Sequence, residues 1–450
     1  MQDFRSLIAI AVLCIFPFTV GCENLIPPLY VPPEDAEEVI ESASADELVV
    51  AEESLPQDDP EKVAALQAAG FTLTKNSDGV VTKLSVVSDE PISSVLSNLS
   101  GVPNVEEALF SGPGLTDEGM ESLKYLTKLK RATFSDSAVG DGTLKAIRNL
   151  SDLEVLFLRR TGVTDAGLEQ LANLSKLRAI DLRNTNVGDA GMDHLAKLPK
   201  LSDVQLEKAN VNDGGVAKLA KLPLKSLNVN YCTSISDKAL QSLANTVTLE
   251  QIQMDYTKLS DEGMSAVENF PKLWRLRIRG TDVTGEGLKA VKDLKNMKRM
   301  ELRDSSIDDE GLGIVASLPK MEFIDLAECR LMSSEGMKQI GKMKNLTVLS
   351  LWETKLDDDA LNEFGDLVNL TQVNLKATAI TDESIGTLMK FQKLEKLNVA
   401  GTQLTDESFR QLGKLPKLTY LNVANTSIGY DVVDELNESN EKLEVVEFEN

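Results

Sequence analysis

The sequence predicts an α/β solenoid, with parallel strands on a concave face and short helices on the convex face. Three observations carry that reading. The frame L-x-x-L-x-L begins at Val81 and returns to Leu443 in steps of 24 residues, apart from one step of 23 and three of 25. Within each copy the apolar period switches from two, the spacing of a strand, to three, the spacing of a helix. No copy carries enough apolar surface to fold alone, so neighbours must bury one another.

Taken in order, the chain opens with a processing signal over residues 1–22. A short head with Arg5 leads into a mostly apolar run from Leu7 to Val20, too short for a comfortable membrane span, and then Gly21-Cys22. The end of this run, Thr19-Val20-Gly21-Cys22, resembles the bacterial lipobox, although Thr19 stands where an aliphatic residue is usual. That resemblance implies lipidation of Cys22, export, and attachment to an envelope membrane.

Residues 23–59 contain no Lys or Arg and are dense in acids, as in "PPEDAEEVIESASADELVVAEESLPQDDP". Such composition cannot bury enough surface to fold, so the segment reads as a disordered tether. Residues 60–104 read as an α/β cap that merges into the first repeat. "DPEKVAALQAAGF" is a short helix, and "TLTKNSDGVVTKLSVV" is a hairpin turning near Asp78-Gly79.

Residues 105–450 are the repeat domain. A typical unit is Leu153-x-x-Leu156-x-Leu158-x-x-Thr161, followed by Val163-Thr164-Asp165 and apolar residues at Leu168, Leu171 and Leu174. The first half predicts a strand with its aliphatics in the core. The second predicts a helix of about two to three turns, with Thr or Asp capping its N-terminus. The closing strand "LEVVEFEN" carries Glu444, Glu447 and Glu449, which blunt the sheet edge.

This frame resembles the leucine-rich repeat family over residues 81–450. The helix starts "TDEGM" (116–120), "TDAGL" (164–168) and "SDEGM" (260–264) are similar to those of leucine-rich repeat proteins of planctomycete-like bacteria and of the F-box subtype. Many subtypes place Asn after the strand; this chain repeats Thr there (Thr161, Thr185, Thr257, Thr281, Thr354, Thr378, Thr402 and Thr426), which predicts a hydroxyl ladder bonded to loop backbone. A ubiquitin-ligase adapter like the F-box proteins would need a helical box before the repeats, and residues 23–59 are too acidic for one.

Enzyme chemistry finds little foothold. The single histidine, His194, has no nucleophile or second ligand in frame. Cys14 lies in the signal, and Cys232 and Cys329 share the Thr position four repeats apart, roughly 19 Å at strand spacing, too far for a disulfide. The aspartates Asp117, Asp165, Asp213, Asp237, Asp261, Asp382 and Asp406 align along one edge, each expected to cap its own helix rather than to bind calcium. "GTDVTGEGLK" is a repeat with Gly285 in the Asp position, not a phosphate loop. The chain is therefore expected to be non-catalytic, with no cofactor and no metal.

The concave strand face is where this fold would bind. The chain has 71 acidic against 47 basic residues and a net charge of −24, which disfavours nucleic acid as a partner. Yet of 14 arginines, eight fall at the third, fifth and seventh positions of the frame, which point into the concavity: Arg131, Arg159, Arg183, Arg275, Arg277, Arg279, Arg299 and Arg303. Stacking sets Arg277 beside Glu301 and Arg279 beside Asp255, but also Arg275 beside Arg299 and Arg279 beside Arg303, an arrangement of like charges that is mildly unfavourable without a further partner. Arg suits bidentate carboxylate recognition. With the nearby anchors Phe323 and Trp352, these residues predict a surface for a protein partner with an acidic patch. The alternative is a passive structural or adhesion component of the envelope.

Overall fold

The computed structural model describes residues 56–448. The signal segment, Cys22 and most of the acidic tether lie outside the described residues. Among the described residues, no helix is long and apolar enough to cross a membrane, and no cluster of His, Cys, Asp and Glu is placed to hold a metal ion.

The chain winds into an open solenoid. A helix at Pro60–Ala68 and an antiparallel hairpin, Thr72–Lys75 against Val81–Val87, close its first end. From Val81–Val87 onward the strands pair in parallel, one per repeat, to Glu444–Val446 at the far end. Each step brings the same frame position alongside itself, as Leu276 beside Ile252 and Met300.

Most repeat strands are only three residues long, such as Val155–Phe157. The leucines of the frame and of the helical half fill one continuous core, with Leu153, Leu156, Leu158 and Leu168 completely enclosed. Some convex elements reach the two to three turns expected, as Asp309–Ala316 with 8 residues and Tyr430–Ser439 with 10, and others are shorter. Asp165–Leu168 is a single turn of α-helix continued by a tighter 3-10 turn at Glu169–Leu171. With about 24 residues per repeat and a strand, two turns and a cap to fit, little chain remains for helix.

The Thr ladder forms as the repeat predicts. Thr161, Thr185, Thr281 and Thr378 each donate to the carbonyl three residues back at 2.7–2.8 Å. Cys232 and Cys329 occupy the same position, buried and unpaired with one another, and their thiols reach carbonyls of the preceding repeat, Leu206 and Leu302. Burial pushes both thiols up to about 11, so neither is a ready nucleophile.

The residue just before that hydroxyl turns the chain out of the strand with positive φ in repeat after repeat: Arg160, Asn184, Tyr256, Glu353 and Ala377 all lie between 51° and 56°. Left-handed backbone carries strain in a side chain other than Gly or Asn. The solenoid accepts it because each turn is stacked between two others.

The aspartates act differently from the expectation. Thr, Ser or Asn just before them caps the helix, as Ser236 does for the Lys238 N–H and Asn212 for the Gly214 N–H. The aspartate, one residue inside, instead accepts from the next repeat. Asp261 takes the backbone N–H of Thr284 at 2.8 Å, its hydroxyl at 2.7 Å and the N–H of Gly287 at 3.1 Å. Asp141, Asp213, Asp237, Asp358 and Asp382 make the same bonds to the cap residue one repeat on. They join repeats rather than finish helices.

Candidate recognition surface

The polar residues that the sequence places in the concavity are more enclosed than that placement suggests. Asp181, Asp203, Ser226, Asn228, Gln251 and Asp255 are all buried. Strands under 5 Å apart pack these side chains against one another. The middle position also serves the backbone. Asp181, Asn228, Asp325, Asn374, Asn398 and Asn422 accept the N–H two residues on, at 3.0–3.1 Å, where the strand ladder ends. The recurrence of Asp and Asn there is structural, a role that sequence reasoning missed.

The predicted arginines divide into two groups. Arg159 pairs with Asp136 at 2.7 Å, and Arg183 holds Asp181 through both Nε and Nη2 at 2.9 and 2.7 Å. Arg159 shares its carboxylate with Arg160, whose Nη1 lies 3.1 Å from Asp136, whereas Arg183 has Asp181 to itself; Arg183 lies four strands away from Arg275. These two do not join the main cluster.

Arg275, Arg277, Arg279 and Arg299 do converge, on two carboxylates. Asp255, fully enclosed, accepts from Arg277 Nε at 2.5 Å, Arg279 Nε at 2.8 Å and the Arg279 backbone N–H at 2.9 Å. Glu301 accepts from Arg275 Nη2 at 3.2 Å and Arg299 Nε at 2.7 Å. Strand register sets Arg277 beside Glu301, as the stacking predicts, but its short bond runs to Asp255, with Glu301 at 3.9 Å.

Four guanidiniums thus share two carboxylates, a mismatch of two charges. Burial pushes the Glu301 carboxyl up, and Arg275, Arg299 and Arg277 together pull it below the ordinary glutamate range. Arg275, 3% exposed, is shifted down by burial and by its neighbours Arg299 and Arg277, against the pull of Glu301. Its Nε hydrogen has no acceptor among the described residues. Asp325, beside Glu301 in the same row, is pushed up by burial, toward its neutral form.

Aromatic rings extend the cluster. The Arg299 guanidinium lies 3.7 Å from the Phe323 ring centroid, and that of Arg303 lies 4.6 Å from the Trp352 ring, with Lys376 Nζ at 5.2 Å. Arg303 also binds Glu328 at 2.8 Å. Glu328 sits at the left-handed turn position, whose residue types are so mixed that sequence reasoning passed over it. Phe323 and Trp352 are half-buried, their rings flanked by cations. Such stacking holds planar groups rigidly in place.

The structure is thus an open parallel solenoid with a polar, strand-lined inner face. The leucine-rich repeat family profile matches residues 173–196 and 222–244. No curated protein matches the chain. A solved leucine-rich repeat protein of Leptospira interrogans is similar over 80% of this chain and 99% of its own, at 16% identity and a TM-score of 0.51. A TDR receptor structure is similar over 80% of this chain and 67% of its own, at 14% identity and the same score. An internalin of Listeria monocytogenes covers 87% of this chain and 96% of its own, at 19% identity and a TM-score of 0.43. The chain has the leucine-rich repeat fold, with two repeats that match the family model. This fold typically serves protein–protein interaction, and its members are generally non-catalytic binding scaffolds.

Proposed function

We propose that the chain is a non-catalytic binding protein that grips a partner protein on its concave face, between the strands Arg275–Arg277 and Val348–Ser350. The observation that carries this reading is the imbalance of four guanidiniums on two carboxylates within a chain of net charge −24. A carboxylate supplied from outside restores the balance, so the partner carries an acidic patch. Phe323 and Trp352, fixed by Arg299 and Arg303, serve as anchors beside it. The lipobox-like Thr19-Val20-Gly21-Cys22 supports lipid attachment at Cys22 and a place in the cell envelope.

Affinity capture from native envelope extract tests this. The baits are the wild type, an Arg299→Gln, Arg303→Gln variant and a Phe323→Ala, Trp352→Ala variant. These sites are chosen because Arg275 and Arg279 are too enclosed to change without disturbing the fold. A partner held by the wild type, released by salt and lost by both variants is the expected result. Identical capture by all three would reduce the concave cluster to internal scaffolding.

A further inference from the structure

The two flanks of the solenoid differ in charge. One flank is the file of loops that lead into the strands. Six of these loops, 124–130, 172–178, 196–202, 220–225, 341–347 and 413–419, hold thirteen Lys or Arg and no acid. The other flank is the file of turns that leave the strands. There, 304–310 holds four acids and no base, and 353–359 holds four acids and one Lys. A chain of net charge −24 thus concentrates bases along one edge.

The loops of the basic flank stack in register. Lys320 Nζ donates to Asn296 Oδ1 at 3.0 Å and Lys393 Nζ to Asn369 Oδ1 at 2.7 Å, each across one repeat. Acids that do occur here, such as Asp152 and Asp366, are paired by Lys176 and Lys344 at 2.7 and 2.9 Å. Lys200, Lys221, Lys272, Lys342, Lys414 and Lys417 are exposed and have no carboxylate partner among the described residues. From Lys128 to Lys417 the file crosses twelve strand spacings, roughly 58 Å. Apolar side chains project from the same loops: Tyr125, Val247 and Val368 are 43%, 53% and 51% exposed. Free lysines interleaved with exposed Tyr and Val are the chemistry of a membrane interface, where bases meet anionic headgroups and apolar groups enter between them.

We propose that this lysine flank docks on the headgroup surface of an anionic bilayer. A file of bases this long, with no pocket to select one group, suits a continuous surface whose charges can shift sideways to meet them. The acids of the other flank do not prevent it. They stand at the far ends of the strands, roughly 20 Å away from Arg178 to Asn184, whereas screening at physiological salt sets in at about 8 Å. Docking by this flank stands the strands upright on the membrane and leaves the concave face open to the side. The inference uses none of the concave residues and stands apart from the reading of that cluster.

Flotation with lipid vesicles tests it. The protein is the chain without its signal, residues 23–450, which holds every described residue and lacks the apolar run and Cys22 as other sources of membrane affinity. Vesicles of phosphatidylcholine are compared with vesicles that also hold phosphatidylglycerol. At about 0.1 M salt the expected result is flotation with the anionic vesicles alone, lost at high salt. The Lys200→Glu, Lys221→Glu, Lys272→Glu variant should bind them more weakly, on the order of a hundredfold. Lys238→Glu, Lys258→Glu, Lys355→Glu makes the same charge change on the opposite flank and should bind like the wild type, as should Arg299→Gln, Arg303→Gln. All six lysines are exposed, and matching unfolding midpoints check that the variants fold. Equal loss in both lysine variants would reduce the effect to net charge, and loss in the arginine variant alone would move the site to the concave face. Equal flotation with neutral vesicles would make the contact apolar. Each of these overturns the proposal, and so does a wild type that floats with neither vesicle. If that wild type is instead retained on immobilised polyglutamate, the flank is a site for an acidic protein.

Discussion

Gly285 lies against Asp308: a Cβ on the glycine would sit 2.1 Å from the Asp308 Oδ1. Most repeats place aspartate at the Gly285 position, where it accepts from the cap residue of the next repeat. Here that next cap is itself an aspartate, accepting the Gly311 N–H at 3.0 Å. Two carboxylates would face each other with no donor between them. The other repeat followed by an aspartate cap, Asp357, makes the same accommodation: Ser334 stands in the ladder position and bonds Asp357 through its hydroxyl.

This pairing predicts coupling. Gly285→Asp should destabilise the solenoid, and adding Asp308→Thr should recover part of the loss, with a coupling of about 1–3 kcal/mol. Denaturant unfolding of the two single variants and the double variant measures it. Simple additivity would mean that the ladder rule is accidental.

The inter-repeat aspartates predict a loss of stability in acid. Burial raises the Asp117 carboxyl, but bonds from Thr143, Gly140 and Gly142 outweigh it and hold it below its ordinary value of 3.8; Ser408 and Thr405 do the same for Asp382. A carboxyl lowered on folding contributes stability that is present above about 4 and lost as pH falls through the folded value. Asp261→Ala should cost about 2 kcal/mol, since it strands the Thr284 and Gly287 N–H groups. It should weaken protection of those amides in hydrogen exchange more than Thr284→Ala does.

Asp203 predicts the opposite sign. It is almost fully enclosed, and burial pushes its carboxyl up to about 6 despite the Gln205 amide at 2.6 Å. Its contribution is present below about 4 and lost as pH rises through about 6. Asp203→Asn should remove that dependence, gaining up to roughly 3 kcal/mol over the wild type at pH 7.5 and little at pH 4. Urea unfolding at the two pH values gives the comparison; a variant with an unchanged pH profile would show that Asp203 does not titrate in this window.

Removing Glu301 should be among the most damaging single changes on the concave face. It leaves Arg275 enclosed with no carboxylate and hands four guanidiniums to Asp255 alone. Breaking a buried pair from one side costs about 3–5 kcal/mol, so Glu301→Ala should lower the unfolding midpoint well below that of Glu353→Ala, whose partner Arg330 is exposed.

The strands, the core and the Thr ladder were legible because leucine and threonine recur at fixed spacing and do one thing each. The destination of the aspartates was not. A carboxylate one residue inside a helix is near the start of its own helix in sequence but near the next repeat in space, and only the stacking decides. The left-handed turns were also hidden, since Tyr256, Glu353 and Ala377 share no chemistry. At the concave cluster the sequence placed arginine beside arginine correctly, as Arg275 and Arg299 show. It also paired Arg279 with Asp255, but could not show that Arg277 would turn to the same carboxylate and leave the count of charges uneven.

Whether this uneven cluster faces the partner is decided by photo-cross-linking from two positions. One photoreactive residue replaces Trp352 on the concave face, and the other replaces Lys338 on the convex side. Each protein is irradiated in native envelope extract. The expected result is a discrete adduct from position 352, suppressed by high salt, and none from 338. An adduct from position 338 alone would put the partner on the helices and overturn the concave reading.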